Sequence, residues 1–172
     1  MEKLWSPWRS KYIESFKSDE DKSKCIFCQM VNLNPAEMDN LIVDNGEFTF
    51  TVLNLYPYNN GHLMIVPKRH TNDFPGLSTE ELSESFLKLQ LAEKALRKVL
   101  NPHGFNIGAN IGRIAGAGIE EHIHFHIVPR WNGDSNFMPV IGNVKIISQD
   151  LLETKTKLLQ AYSDLTKNNY SI

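Results

Sequence analysis

His122-Ile-His-Phe-His-Ile-Val-Pro-Arg-Trp131 is the stretch on which the fold turns. Strict alternation of histidine with Ile123, Phe125 and Ile127 predicts a half-buried β-strand. Successive strand side chains leave on opposite faces, so His122, His124 and His126 are expected on one wall while the apolar partners enter the core. Half of the chain's six histidines would then line one surface. Same-face neighbours stand about 6.5 Å apart, which puts the outer two about 13 Å apart at their Cα atoms. That is too far for all three to hold one tetrahedral zinc comfortably. At least one histidine is left for other chemistry, which points to catalysis with metal support.

The stretch leading into this strand, Gly112-Arg-Ile-Ala-Gly-Ala-Gly118, allows a backbone to approach a ligand closely and to offer N–H groups to phosphate oxygens. It is no Walker loop, because no Gly-Lys-Ser/Thr follows and the next element is a strand. Earlier in the chain, Leu41-Ile-Val43 and Phe48-Thr-Phe-Thr-Val-Leu53 flank Asp44-Asn45-Gly46, a hairpin signal. His62-Leu-Met-Ile-Val66 is a further strand closed by Pro67, and Phe105 to Ile111 another. Ser78-Thr-Glu-Glu81 has the pattern of a capping box. Leu82, Phe86, Leu89 and Leu96 follow it at helical spacing, predicting an amphipathic helix to about residue 100. Asn101-Pro-His-Gly104 ends that helix, with His103 expected at the surface. Leu151, Leu152, Leu158, Leu159, Tyr162 and Leu165 mark a C-terminal helix over 149–167, and Val140 to Ile147 is a candidate short strand. These elements predict an α+β fold: an antiparallel sheet of about five strands, one long central helix and a C-terminal helix.

With 172 residues, 41% of them apolar and 22% charged, the chain suits one globular domain over 1–172. Residues 1–24 form an aromatic arm, and 148–172 the C-terminal helix and tail. A formal net charge of −2 gives no support for a nucleic-acid partner held by a basic surface. The start, Met-Glu-Lys-Leu-Trp-Ser-Pro-Trp, has no long apolar run, so neither a signal peptide nor a membrane span is expected and a cytoplasmic location is. Both cysteines sit in Cys25-Ile-Phe-Cys28. A redox pair would want a preceding strand, and none is in view. A zinc half-site fits better, with histidines completing it, and two buried apolar cysteines remain the plain alternative.

His122-X-His-X-His-X-X, preceded by the glycine-rich loop and followed by Pro129-Arg130, resembles the histidine triad family of nucleotide hydrolases and transferases. Gly61-His-Leu-Met-Ile-Val-Pro-Lys-Arg-His70 is similar to that family's second motif, so the likeness runs over roughly residues 25–131. Trp5-Ser-Pro-Trp-Arg9, Gly116-Ala-Gly-Ile119 and Pro129-Arg-Trp-Asn-Gly-Asp-Ser-Asn-Phe137 look most like the bacterial branch related to diadenosine tetraphosphate phosphorylases. The resemblance implies that His124 attacks an α-phosphorus and is transiently nucleotidylated, with His126 and His62 as catalytic support. It implies substrate contacts from Asn54, Asn110, Gly116, Ala117, Gly118 and Glu120. It further implies a structural Zn2+ on Cys25, Cys28, His70 and His122, no organic cofactor, an adenine dinucleoside polyphosphate or related substrate, and a homodimer. A neutral imidazole is a competent nucleophile near pH 7 on general grounds. Hydrolytic members often have Gln where this chain has Ala117 or Gly118, and Glu120 and Glu121 place acid just before the triad. Both departures leave room for phosphate, rather than water, as the second acceptor. Lys68, Arg69, Arg113 and Arg130 are candidate phosphate partners. A nucleoside phosphoramidate hydrolase and a low-turnover nucleotide-binding module are the alternatives.

Overall fold

A computed structural model describes residues 25–134 and 149–168. The elements in order are α1 (Ile26–Met30), β1 (Ile42–Asn45), β2 (Thr49–Leu53), β3 (Leu63–Pro67), α2 (Thr79–Leu100), β4 (Gly104–Gly108), a 3-10 turn (Arg113–Ala115), β5 (Phe125–Arg130) and α3 (Leu151–Asn168). The expected arm over 1–24 and the candidate strand Val140 to Ile147 lie outside the described residues. The five strands form one antiparallel sheet in the order β1-β2-β3-β5-β4. The α+β architecture expected from the alternating runs is therefore the one observed. No described helix is long and apolar enough to cross a membrane.

Period-two alternation sorts the sheet's side chains. Val43, Leu53, Leu63, Ile65, Phe125 and Ile127 face α2 and α3 and join Leu89, Ala92, Leu96, Leu158 and Ala161 in the larger core. Ile42, Phe50, Val52, Met64 and Val66 turn to the opposite face, where Phe27 of α1 covers them. His126 pairs across the ladder with Met64, so the histidines share this second face.

α2 begins where the sequence signal put it. The Ser78 hydroxyl accepts from Glu81 N, and the Glu81 carboxylate accepts from Ser78 N, so two orphan helix-end donors are satisfied at once. Asn101 closes the helix in the left-handed region at φ 47. Three local expectations change. The alternating triad is not all strand: β5 starts only at Phe125, since β4 ends opposite His126 and β3 pairs with β5 only over Leu63–Ile65. The backbone bond from Ile123 N to Thr71 O at 2.7 Å and the ring bonds of His122 and His124 hold the lead-in instead. The expected β1–β2 hairpin forms, but the chain reverses over Gly46–Phe48, where Gly46 N donates to Thr49 O at 2.9 Å, rather than at Asp44-Asn45-Gly46. Asn45 belongs to β1 and donates to Val31 O, while the Glu84 carboxylate accepts from Phe48 N, Thr49 N and Thr49 Oγ1. A Cβ on Gly46 would stand 1.8 Å from that carboxylate, which is why glycine sits there. Finally, Phe86 is 58% exposed, off the core stripe that its spacing suggested.

Candidate active site and metal centre

Two clusters share the second face of the sheet. The first joins α1 to the end of β3 and the lead-in to β5. Cys25 and Cys28 flank the first turn of α1, and Pro67 stops β3 so that Lys68-Arg-His70 swings His70 over it. His122 is wholly buried and its Nδ1 lies 3.3 Å from Cys25 Sγ and 3.7 Å from Cys28 Sγ, while His70 Nδ1 lies 3.3 Å from Cys28 Sγ. The four ligand atoms all lie within 4.8 Å of one another. Zinc bonds of about 2.0–2.3 Å would give tetrahedral edges of about 3.3–3.8 Å, which the contacts of 3.3–3.7 Å already match, while a pair at 4.8 Å would have to close by about 1 Å. The imidazole of His122 is set for it. Its Nε2 donates to Pro67 O at 2.8 Å, which leaves the Nδ1 lone pair towards the sulfurs. Burial, and then the adjacent Cys25, pushes the Cys28 thiol up from its ordinary value, a cost that a bound cation removes.

The second cluster holds His62, His124 and His126. His124 Nδ1 lies 2.8 Å from His122 O. A carbonyl can only accept, so Nδ1 carries the proton and Nε2 keeps its lone pair. On His62, the Tyr58 backbone N–H donates to Nδ1 at 3.1 Å and the Asn54 amide stands 3.3 Å away. Because Nδ1 accepts, the proton of neutral His62 is on Nε2, which donates to His126 Nδ1 at 2.9 Å. His126 must then carry its own proton on Nε2, a buried atom with no hydrogen-bond partner among the described residues. One unprotonated nitrogen thus stands beside one N–H donor, with the His124 and His126 rings 4.8 Å apart at their centroids. Burial holds all three triad imidazoles below their ordinary value, His126 as low as about 4 with the neighbouring His124 adding to the effect. They are neutral near pH 7. A neutral pair, one acceptor and one donor, can attack phosphorus and steady a phosphoryl oxygen.

The remaining sequence candidates spread around this pair. Asn54 caps its own turn, its Oδ1 accepting from Tyr56 N, and touches His62. Gly116 adopts φ 94 at the end of the 3-10 turn, a left-handed conformation for which glycine is suited, and Ala117 is buried between exposed Gly116 and Gly118. Asn110 and Glu120 line a cavity of about 150 Å3 with Asn72, Gly112 and His122. The histidine alternation does not extend back to Glu120, which sits exposed in the turn before His122. Among the candidate cations, Arg69 is paired with Glu81 and Arg130 with Asp134. Sequence reasoning assigned no role to Phe27, Tyr58, Asn59 or Asp134. The Phe27 ring lies 5.0 Å from His124 and 5.4 Å from His122, and Tyr58 lies 4.7 Å from His62. Position between two cysteines was the only hint for Phe27.

The HIT domain matches residues 35–133. The AP-4-A phosphorylase of Mycobacterium tuberculosis is 39% identical over 163 residues, covering 92% of this chain and 83% of that protein. The adenosine 5'-monophosphoramidase hnt1 of Schizosaccharomyces pombe is 31% identical over 108 residues, covering 63% of this chain and 78% of its own. Among solved structures, a Zn-bound histidine triad family protein from Mycobacterium smegmatis superposes with a TM-score of 0.67 at 27% identity, over 84% of this chain and 97% of that one.

Proposed function

This chain belongs to the HIT domain family, and from that premise we propose that it cleaves an adenine dinucleoside polyphosphate at an α-phosphate through a covalent nucleotidyl-His124. The observation that carries the proposal is the 2.8 Å bond from His124 Nδ1 to His122 O, which leaves Nε2 unprotonated beside a His126 Nε2–H that has no partner among the described residues. In the first step the Nε2 lone pair bonds to the α-phosphorus and the phosphoanhydride P–O bond breaks, its electron pair leaving with the departing nucleotide. The proton stays on Nδ1, hydrogen-bonded to His122 O, which supports the positive charge gained by the imidazole. His126 Nε2–H donates to a phosphoryl oxygen as negative charge gathers there, and His62 holds that proton on the outward nitrogen. In the second step an oxygen nucleophile takes the nucleotidyl group and neutral His124 is restored. Inorganic phosphate as acceptor would turn diadenosine tetraphosphate into ADP and ATP, and water would give AMP and ATP. The likeness to AP-4-A phosphorylase favours phosphate.

Cys25, Cys28, His70 and His122 are read as the seat of a structural zinc, supported by their mutual distances and by the Zn-bound relative. When bound, the ion has no open position for a water and would tie α1 to the triad's lead-in. A second copy of this chain is read onto the outer edge of β4. There Ile107 joins Phe86 and Leu89 in a groove of about 410 Å3 beside an edge strand that no described element pairs.

Two experiments test the catalytic proposal. A product assay on diadenosine tetraphosphate with and without phosphate distinguishes the acceptors. His124→Ala should lose turnover by at least about 10^3-fold while still binding nucleotide and keeping its fold. Full activity in a folded His124→Ala protein defeats the proposal. The phosphoramidase relative makes a nucleoside phosphoramidate the comparison substrate in the same assay.

A further inference from the structure

The loop 54–61 sets where the His62 proton sits, and Asn59 anchors that loop to the end of β5. Asn59 is 7% exposed. Its backbone oxygen accepts from His62 N at 3.2 Å, closing the turn over 59–62 that directly follows Tyr58. Its amide nitrogen donates to Pro129 O at 3.0 Å and to Asp134 Oδ2 at 2.7 Å. Both partners are pure acceptors, which fixes the amide's orientation. Asp134, whose side chain is 11% exposed, takes further bonds from Arg130 Nε at 2.6 Å, Arg130 Nη2 at 2.9 Å and Trp131 N at 3.1 Å. Arg130 Nη1 continues to Asn106 Oδ1 of β4 at 2.7 Å. The turn over Trp131–Asp134 that permits this has Gly133 at φ 78. One connected network therefore runs from β4 through the end of β5 to the loop whose Tyr58 N–H faces His62 Nδ1.

We propose that Asn59 and Asp134 form a clasp that fixes the tautomers of His62 and His126, making both of them positioning residues for the nitrogen that faces phosphate. This rests on reading His126 Nε2–H as the phosphate-facing donor. Release of Asn59 loosens the Tyr58 N–H from His62 Nδ1, where it is the shorter of the two described donor contacts, 3.1 Å against 3.3 Å from the Asn54 amide. His62 then populates the Nδ1–H form, in which its Nε2 is an acceptor. His126 Nδ1 must become the donor in that pair, and its outward Nε2 loses the proton meant for the phosphoryl oxygen. The Asp134 carboxylate, held by four N–H groups, has no substitute in an amide, because a donor would then face donors.

The test reads ring nitrogens as well as turnover. In the wild-type protein, 15N-labelled histidine spectra near pH 7 should show His62 and His126 as single Nε2–H tautomers. Asn59→Ala should move both towards tautomer-averaged shifts and lower kcat roughly ten- to hundredfold, with KM nearly unchanged. Arg130→Ala, a milder release through an exposed side chain, should move the same resonances less and serves if Asn59→Ala does not fold. Wild-type ring shifts in whichever variant folds overturn the clasp. A wild-type protein without turnover on any dinucleotide would defeat the proposed function, and the ring spectra would still decide the clasp.

Discussion

At His124 one backbone carbonyl chooses between two ring nitrogens, and the choice passes to the rest of the face. His122 shows the same device with the opposite outcome: Nε2–H donates to Pro67 O, so the Nδ1 lone pair is turned to the sulfurs. Two histidines separated by a single isoleucine are thereby committed to different partners. The Cys25 and Cys28 thiols complete the proposed metal set, and their removal has a measurable consequence. Metal analysis of the purified chain should find about one zinc per molecule, and the Cys25→Ser, Cys28→Ser double variant should contain none. Zinc retained by the double variant would put the ion elsewhere. The variant should also melt at lower temperature, since binding energy at such a site is folding energy.

Among the elements, α2 is specified most completely by its own sequence, and its start offers a test of linkage. Glu81 serves the capping box and also accepts from Arg69 Nε and Nη2 at 2.8 Å each. The Arg69 hydrogen bonds hold its carboxyl below the ordinary value of 4.5. The unfolded chain therefore takes up this proton at a higher pH than the folded chain. The stabilisation is complete above pH 4.5 and fades as the pH falls through the lower folded value. Glu81→Gln should cost about 1–2 kcal/mol at pH 7. Its deficit against the wild type should shrink below pH 4.5, read by urea denaturation of both proteins in metal-free buffer. A deficit that stays constant with pH would mean that packing, rather than the ionised cap, is what Glu81 supplies. α3 is less legible. Leu152 of its apparent apolar stripe is exposed, while Lys155 is fully buried with Nζ hydrogen-bonded to the carbonyls of Glu37 and Asn40. A long side chain can bury its stem and bring its charge to carbonyls supplied by a distant loop, and helical periodicity carries no trace of that loop.

For the whole molecule, the sheet has two very different edges. β1 is covered by contacts with α3 and by the Asn45 bond to the segment after α1, whereas β4 carries exposed Ile107 beside Phe86. Pairing of β4 with its counterpart in a second copy would bury both. Phe86→Glu with Ile107→Lys should then shift the chain from dimer to monomer in sedimentation velocity, with the zinc content unchanged. A wild-type protein that sediments as a monomer at micromolar concentration would remove the second copy from that edge.

The sequence by itself determined the elements and the cast. Alternation and short apolar runs placed five strands within a few residues, Ser78 and Glu81 marked the start of α2, and the family resemblance singled out Cys25, Cys28, His70 and His122 as a candidate metal set, whose ligand atoms the fold brings within 4.8 Å. These signals are legible because they are local periods or chemically rare residue types. Tertiary structure alone decided what the histidines are to one another. His62 and His126 lie 64 residues apart and meet only because β3 pairs with β5, and the Asn59–Asp134 clasp spans 75. Tautomers follow from which carbonyl or N–H a fold brings to each ring nitrogen. A hydrogen-bond partner supplied by backbone leaves no mark in the amino-acid code, so the proton positions become readable only once the chain has closed on itself.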